Sequence, residues 1–201
     1  MNNLLAALSS GAVTGIIIGG IAAFILLMVF IFIVWYIKTG NAIIRLKNNV
    51  EEGWSTIDVY LKKRYDLIPN LVETVKGYAG HESGTLDAVI RARSGAMSAQ
   101  GIDQKIAAEN QLTGTLKSLF ALSEAYPQLK ADSQFLNLQN QLMRLEDEIS
   151  KARKYYNGTA KVYNNKIMTF PSSFVARRKG FTKQAYFEAA ESERENVKVS
   201  F

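Results

Sequence analysis

The sequence predicts an all-α protein: a single N-terminal transmembrane helix followed by an antiparallel bundle of about four long helices. Three observations carry that expectation. All 24 basic and 18 acidic residues of the 201-residue chain fall at or after Lys38, so the first 37 residues have no charged side chain. Beyond that point apolar residues recur at steps of three and four, the period of a helix with one buried face. No window alternates apolar and polar residues as a half-buried strand would.

Residues 11–37 are a nearly unbroken apolar run, and about 20 such residues suffice to cross a bilayer. A cleaved secretory signal has a basic start and a much shorter apolar core, whereas residues 1–10 hold neither Lys nor Arg. The run closes on Trp35, Tyr36 and Lys38, the aromatic pair and base expected at a membrane–water boundary. The expected organisation is a short extracytoplasmic N-terminus (1–10), a retained transmembrane helix (11–37) and a cytoplasmic helical bundle (38–201). Orientation follows from Lys38, Arg45 and Lys47 after the helix and no base before it, because flanking bases stay on the cytoplasmic side. The absence of Cys agrees with a cytoplasmic domain.

Small residues recur at every fourth position of the membrane segment: Ala7, Gly11, Gly15, Gly19 and Ala23. Such residues let helix backbones approach closely, which drives association in lipid. The stripe drifts by about 40° per step on a helix of 3.6 residues per turn, which suits a right-handed crossing. A homo-oligomer held through this helix and the bundle is therefore expected.

The first bundle stripe is Ile43, Leu46, Val50, Trp54, Ile57 and Leu61. Only Gly40 separates it from the membrane run, so the two helices are expected to be continuous. Pro69 then predicts a kink or a short break, since proline lacks the N–H donor and disfavours helix at the preceding residue. The pattern resumes with Leu71, Val72, Val75 and Ala79, and Gly77, Gly80 and Gly84 mark a turn. A helix from about Thr85 fades by Gly101, and the next carries Ile106, Leu112, Leu116, Leu119 and Ser123 up to Tyr126-Pro127. The strongest stripe follows: Phe135, Leu138, Leu142, Leu145, Ile149, Ala152, Tyr156, Ala160, Tyr163 and Ile167. That is a helix about 50 Å long, ended by Pro171. A short helix around 183–193 and an extended tail complete the expected order.

No constellation points to catalysis. His81-Glu82 lacks the second His of a zinc motif, position 85 being Thr, and one His without Cys cannot assemble an ordinary zinc site. There is no P-loop and no GxGxxG, and Gly53-Trp54-Ser55 lies in a helical stripe rather than a strand–turn–helix elbow. Glu146, Asp147 and Glu148 read as a solvated face, the last two within ion-pair reach of Lys151. No catalytic, cofactor-binding or metal-ligating residue is expected, and no cofactor.

Three basic clusters, Lys62-Lys63-Arg64, Lys151-Arg153-Lys154 and Arg177-Arg178-Lys179, each fall short of the four to eight charges of a strong anionic-lipid site. The pI of about 9.4 comes with no nucleic-acid-binding motif, so no nucleic-acid partner is expected. Arg177-Arg178-Lys179, read as a loop between Phe174 and Phe181, is the candidate lipid contact if that loop faces the membrane. Two other polar features stand out. Tyr156-Asn157 recurs seven residues on as Tyr163-Asn164, which serves either to fix the helix register or to present a peptide- or ligand-binding face. Arg64, Asp66, Pro69 and Asn70 concentrate charge, amide and proline at one point, as a salt-bridge and cap cluster or as a partner-docking elbow.

Trp54-Ser55-Thr56-Ile57-Asp58-Val59, continuing LKKRYDLIPNLVETVKGYAGHE to Glu82, closely resembles the signature of the LemA family of bacterial membrane proteins. So do residues 112–131 (LTGTLKSLFALSEAYPQLKA), residues 152–167 (ARKYYNGTAKVYNNKI), the Phe170-Pro171-Ser172 turn and the Val199-Ser200-Phe201 ending. Trp54 and Asp58 thereby join the candidate cluster. The resemblance covers essentially all of 41–201. It departs at Arg177-Arg178-Lys179, where the family carries a more apolar segment, so membrane contact there is not implied by it. It implies an external N-terminus, one transmembrane helix and a cytoplasmic bundle of about four long helices, in a bacterial inner membrane. It supplies no catalytic residues. It implies a link to a membrane zinc protease of the HtpX type, and a relative takes part in magnetosome formation. A membrane-anchored, non-enzymatic scaffold or adaptor is the leading expectation. A membrane-remodelling or lipid-organising assembly is the alternative, and a hydrolase or ligand-binding module with a pocket near Arg64, Asp66 and Tyr156 comes third.

Overall fold

The computed structural model describes residues 2–187, with side chains from residue 13 onward. Among the described residues it contains six helices and no strand, as the periodicity predicts: α1 Asn2–Ala79, α2 Ser83–Ser98, α3 Ile102–Ser123, α4 Pro127–Lys130, α5 Ser133–Met168 and α6 Ser172–Arg178. The apolar run and the first bundle stripe are indeed one helix. Gly40 does not end it, because a single interior glycine costs only about 1 kcal/mol relative to Ala.

The chain divides into two compact units. The first comprises Met1–Arg45 with Asn165–Thr182, the second Leu46–Asn164 with Lys183–Phe201. In the first unit, Ile16, Phe24, Leu26 and Phe30 are all exposed, on every side of a helix long and apolar enough to cross a membrane. An all-round apolar helix surface suits lipid rather than water. Ser172, Ser173, Val175 and Ala176 of α6 are buried.

Arg177 and Arg178 form the last turn of α6, not a loop as expected. The helix closes on Gly180 at φ +72°, with Gly180 N–H donating to Arg177 O (3.2 Å) and Phe181 N–H to Ala176 O (3.0 Å). This is a glycine-terminated helix end in which both carbonyls gain donors. Basic residues there also complement the negative end of the helix dipole.

The second unit is a four-helix bundle of α2, α3 and the parts of α1 and α5 that belong to it. α1 and α5 run antiparallel, since Trp54 meets Tyr156, Arg64 meets Glu146 and Tyr78 meets Asp132. Every member of the long α5 stripe is buried except Leu145, which is half-exposed. Asp132 caps α5 by accepting from the Phe135 N–H at 2.8 Å, a bond that holds its carboxyl below the usual carboxylate range.

Two expectations need correction. Of the kink or short break expected at Pro69, the break is absent: α1 continues through it to Ala79. The missing proline donor leaves the Tyr65 carbonyl without its helical partner, and the Arg93 Nε of α2 donates to that carbonyl at 2.8 Å. A tertiary hydrogen bond thus replaces the lost helical one, and flanking Ile68, Leu71 and Val72 are all buried, so packing holds the segment helical. The short helix expected around 183–193 is also not seen in its described part, since residues 181–187 have no helical structure. The rest of that stretch, and Val199-Ser200-Phe201, lie outside the described residues.

Candidate functional site

Two polar constellations lie in the second unit. The first is a buried charge network joining α1, α3 and α5. Arg64, only 2% exposed, donates from Nη1 to Glu146 Oε2 at 2.9 Å and from Nη2 to Thr113 Oγ1 at 2.6 Å. Its Nη1 also lies 3.7 Å from Glu109 Oε2, and Glu109 is 0% exposed. The neighbouring Tyr65 hydroxyl donates to Glu109 Oε1. Burial pushes the Glu109 carboxyl up, against the opposing pull of the Tyr65 hydroxyl and of Arg64, Arg153 and Lys105. Burial likewise raises the Tyr65 hydroxyl, reinforced by Glu109. At the edge of the network Lys105 pairs with Asp58 at 2.8 Å.

This network is positioned by sequence in a simple way. Arg64 and Tyr65 occupy core-facing places in the α1 stripe between Leu61 and Ile68, and Glu109 takes the same place in α3 between Ile106 and Leu112. A concavity of about 120 Å³ beside it is lined by Thr113, Leu116, Phe120 and Leu142, with Arg64 and Glu146 at its edge. A buried cation whose donors are taken by fixed acceptors costs desolvation but specifies which helices pair and in what register. Among the described residues no group of three His, Asp or Glu side chains could hold a metal ion.

The second constellation is a clip for extended main chain. Asn164 Nδ2 donates to Gln184 O and its Oδ1 accepts from Gln184 N–H, both at 2.9 Å. Asn157 repeats this with Phe187: Nδ2 to O at 2.9 Å and N–H to Oδ1 at 2.8 Å. Each amide thus imitates one rung of a β-ladder. Seven helical residues rise about 10.5 Å, and three extended residues span about 10 Å. The two asparagines therefore match the two ends of a three-residue step, and they give residues 184 and 187 main-chain partners outside any helix. Tyr156 adds a hydroxyl bond to Ala185 O at 2.8 Å, and burial raises its pKa. Phe187 is buried, its ring 6.2 Å from Trp54 and 4.2 Å from the Arg153 guanidinium carbon. Trp54 in turn meets Tyr156 edge-on at 5.6 Å.

The candidate cluster is therefore split. Trp54, Tyr156, Asn157 and Asn164 come together at the clip, with Tyr163 buried on the same α5 face. Arg64 belongs to the charge network, and Asp58 to its edge. Asp66, Pro69 and Asn70 are exposed and join neither, and Asp66 instead borders a shallow surface concavity with Lys63, Gln141 and Arg144. Of the three residues expected around one pocket, Arg64 lines the concavity of about 120 Å³ and Asp66 the shallow surface one, while Tyr156 turns to Ala185. Glu146 is a partner of Arg64 rather than part of a purely solvated face. Glu109, Tyr65 and Arg93 were not among the expected site residues. For Glu109 a signal existed: the α3 stripe skips from Ile106 to Leu112, and the intervening core position is Glu. Gly53, buried against α5, would bring an added Cβ within 3.2 Å of the Tyr156 Cα.

Of the small residues in the apolar part of α1, Gly15 and Gly19 have nothing within reach of an added Cβ, and positions 7 and 11 lie outside the residues whose side chains are described. Trp35 and Tyr36 are half-buried and Lys38 is exposed.

Comparison with known proteins gives a consistent picture. A profile described as the LemA family matches residues 53–201. The chain is 30% identical, over 88% of its own length and 81% of the relative's, to the Protein LemA of Metamycoplasma hominis. It is 22% identical to Magnetosome protein MamQ 2 of Paramagnetospirillum magneticum, over 81% of this chain and 69% of that one. A similar match, 22% over 78% and 67%, is to Magnetosome protein MamQ of Magnetospirillum gryphiswaldense.

Proposed function

The chain belongs to the LemA family, and we propose that it is a membrane-anchored, non-enzymatic helical scaffold that self-associates and holds partner membrane proteins. The observation that supports this reading is α1 itself. One uninterrupted helix carries a stretch long enough to span a bilayer and then the first stripe of the bundle core. An anchor continuous with a folded body is what a scaffold requires.

On this reading the helix crosses a bacterial inner membrane once, with its N-terminus outside and the bundle in the cytoplasm, the side on which Lys38, Arg45 and Lys47 would lie. Copies associate along Ala7, Gly11, Gly15, Gly19 and Ala23, where Gly15 and Gly19 face open space. The partner is another membrane protein, a membrane protease of the HtpX type being the one that the family resemblance implies. No cofactor and no nucleic acid enters the reading.

A second reading, assembly on the bilayer that reorganises lipid, is favoured by Phe170 and Phe174, which are exposed in the unit that holds the long apolar helix. Similarity to proteins named for the magnetosome fits either reading. The mass of the full chain in mild detergent, with electron microscopy of liposomes carrying it, separates them. A small defined oligomer on unchanged liposomes supports the scaffold. Large assemblies that deform liposomes without a partner replace it with remodelling, and a monomer at every concentration overturns both.

A further inference from the structure

The first unit places apolar and basic groups of the α5–α6 turn beside the end of the membrane helix. Phe170 is 83% exposed and Phe174 51%, large values for aromatic side chains of a protein in water. Together with Pro171 they form one wall of an apolar concavity of about 390 Å³, whose other wall is Phe32 and Trp35 of α1. Lys179 directly follows the last residue of α6. Its side chain crosses Gly40, where an added Cβ would meet Nζ at 2.6 Å, and its Nζ is 5.7 Å from the Tyr36 ring centroid. Arg177 and Arg178 beside it are exposed.

The order of these contacts matters. Along α1 the chain passes from wholly apolar residues through Phe32 and Trp35 to Tyr36, Lys38 and Gly40, from hydrocarbon depth to headgroup depth. The turn repeats that order in parallel: Phe170 and Phe174 are level with Phe32 and Trp35, and Lys179 is level with Tyr36 and Gly40. Two segments distant in sequence therefore share one apolar-to-basic gradient along the bilayer normal. Aromatic wedges with adjacent bases are how interfacial segments hold lipid, the rings in the acyl boundary and the bases at phosphate level.

We propose that the α5–α6 turn is a lipid site: an anionic phospholipid of the leaflet at the Trp35 end lays an acyl chain against Phe32, Trp35, Phe170 and Phe174, while Arg177, Arg178 and Lys179 hold its phosphate. The occupant is membrane lipid rather than a soluble anion, because the apolar wall is continuous with the spanning helix. The inference rests on that helix spanning a bilayer, which the test reads separately.

The full chain, which has no native Cys, is labelled at Phe170→Cys with a polarity-sensitive fluorophore and reconstituted in phosphatidylcholine vesicles containing a minority of phosphatidylglycerol. A Gly158→Cys label serves as the reference, and Trp35 emission in a Trp54→Phe background reports the span. Spin-labelled phosphatidylglycerol should quench the 170 label at least threefold more than spin-labelled phosphatidylcholine at equal content, with the 158 label unquenched. Reversal of the bases by Arg177→Glu, Arg178→Glu and Lys179→Glu together should bring that ratio to one, and the milder triple Gln substitution should lower it. Quenched Trp35 with a water-exposed 170 label overturns the lipid site alone, and unquenched Trp35 overturns the span beneath it. Equal quenching by both lipids, or loss of the preference on adding millimolar glycerophosphate, overturns the anionic-lipid assignment.

Discussion

Arg93 donates from Nε to the main-chain carbonyl of Tyr65 at 2.8 Å, the carbonyl that Pro69 deprives of its helical donor. A side chain of α2 thus completes the backbone of α1, and a proline that should break a helix sits inside one of 78 residues.

Arg93→Leu should therefore lower the stability of the bundle by about 1–2 kcal/mol, the cost of leaving a partly buried acceptor unpaired. Pro69→Ala restores a helical N–H, so the double substitution should cost clearly less than Arg93→Leu alone. Thermal unfolding of the full chain in detergent, followed by circular dichroism, measures both. Strictly additive effects would detach Arg93 from the proline.

The asparagine clip is testable through the segment it holds. Asn157→Ala or Asn164→Ala removes two hydrogen bonds to the main chain, each worth about 1 kcal/mol. Amide exchange at Gln184 and Phe187, whose N–H groups donate to these side chains, should accelerate on the order of tenfold or more in the matching variant. Exchange unchanged in both variants would mean that the ring contacts of Phe187 alone hold the segment.

Arg64 and Glu109 should be coupled. Arg64→Met strands a buried carboxylate and should cost about 3 kcal/mol, while adding Glu109→Leu should recover most of that loss. A double variant no better than Arg64→Met in chemical denaturation would show that Glu109 does not depend on Arg64.

The same carboxyl predicts a pH dependence. Burial raises Glu109, so the folded state binds its proton more tightly than the unfolded state, whose value is near 4.5. Its stabilising contribution is complete below that pH and is lost as pH rises through the folded value. Arg64 and Tyr65 on α1, Lys105 on α3, and Glu146 and Arg153 on α5 surround it and set how far the loss extends. Glu109→Gln should gain Tm relative to the parent as pH rises from about 4.5 toward neutrality, and a pH-independent difference would contradict the raised carboxyl. Asp132, lowered by its capping bond, acts in the opposite sense and is common to both proteins.

Much of this fold is readable from the sequence because helices with one buried face announce themselves by period. The α5 stripe is the clearest instance, with only Leu145 left half-exposed. At Pro69 local rules see a missing donor but not Arg93, which lies 24 positions away and is brought close only by the bundle. Residues 183–187 are a related case: their composition is helical, yet two Asn side chains on α5 offer their backbone other partners. Tyr156-Asn157 and Tyr163-Asn164 were visible as a repeat. What they grip was not, because the seven-residue helical spacing has meaning only once an extended segment lies beside it. Glu109 shows the opposite case, a polar residue at a core position that the stripe itself marks.

Scaffolding by self-association in the membrane is tested most directly by site-specific crosslinking in intact cells. A photo-reactive residue placed at Ile16, which is exposed beside Gly15, is activated and the full chain is recovered and sized. Discrete crosslinked species at multiples of the 22.3 kDa chain, together with a second integral membrane protein, are expected, with the multiples lost in Gly15→Leu/Gly19→Leu. Recovery of the chain only as an uncrosslinked monomer, in parent and variant alike, would contradict it.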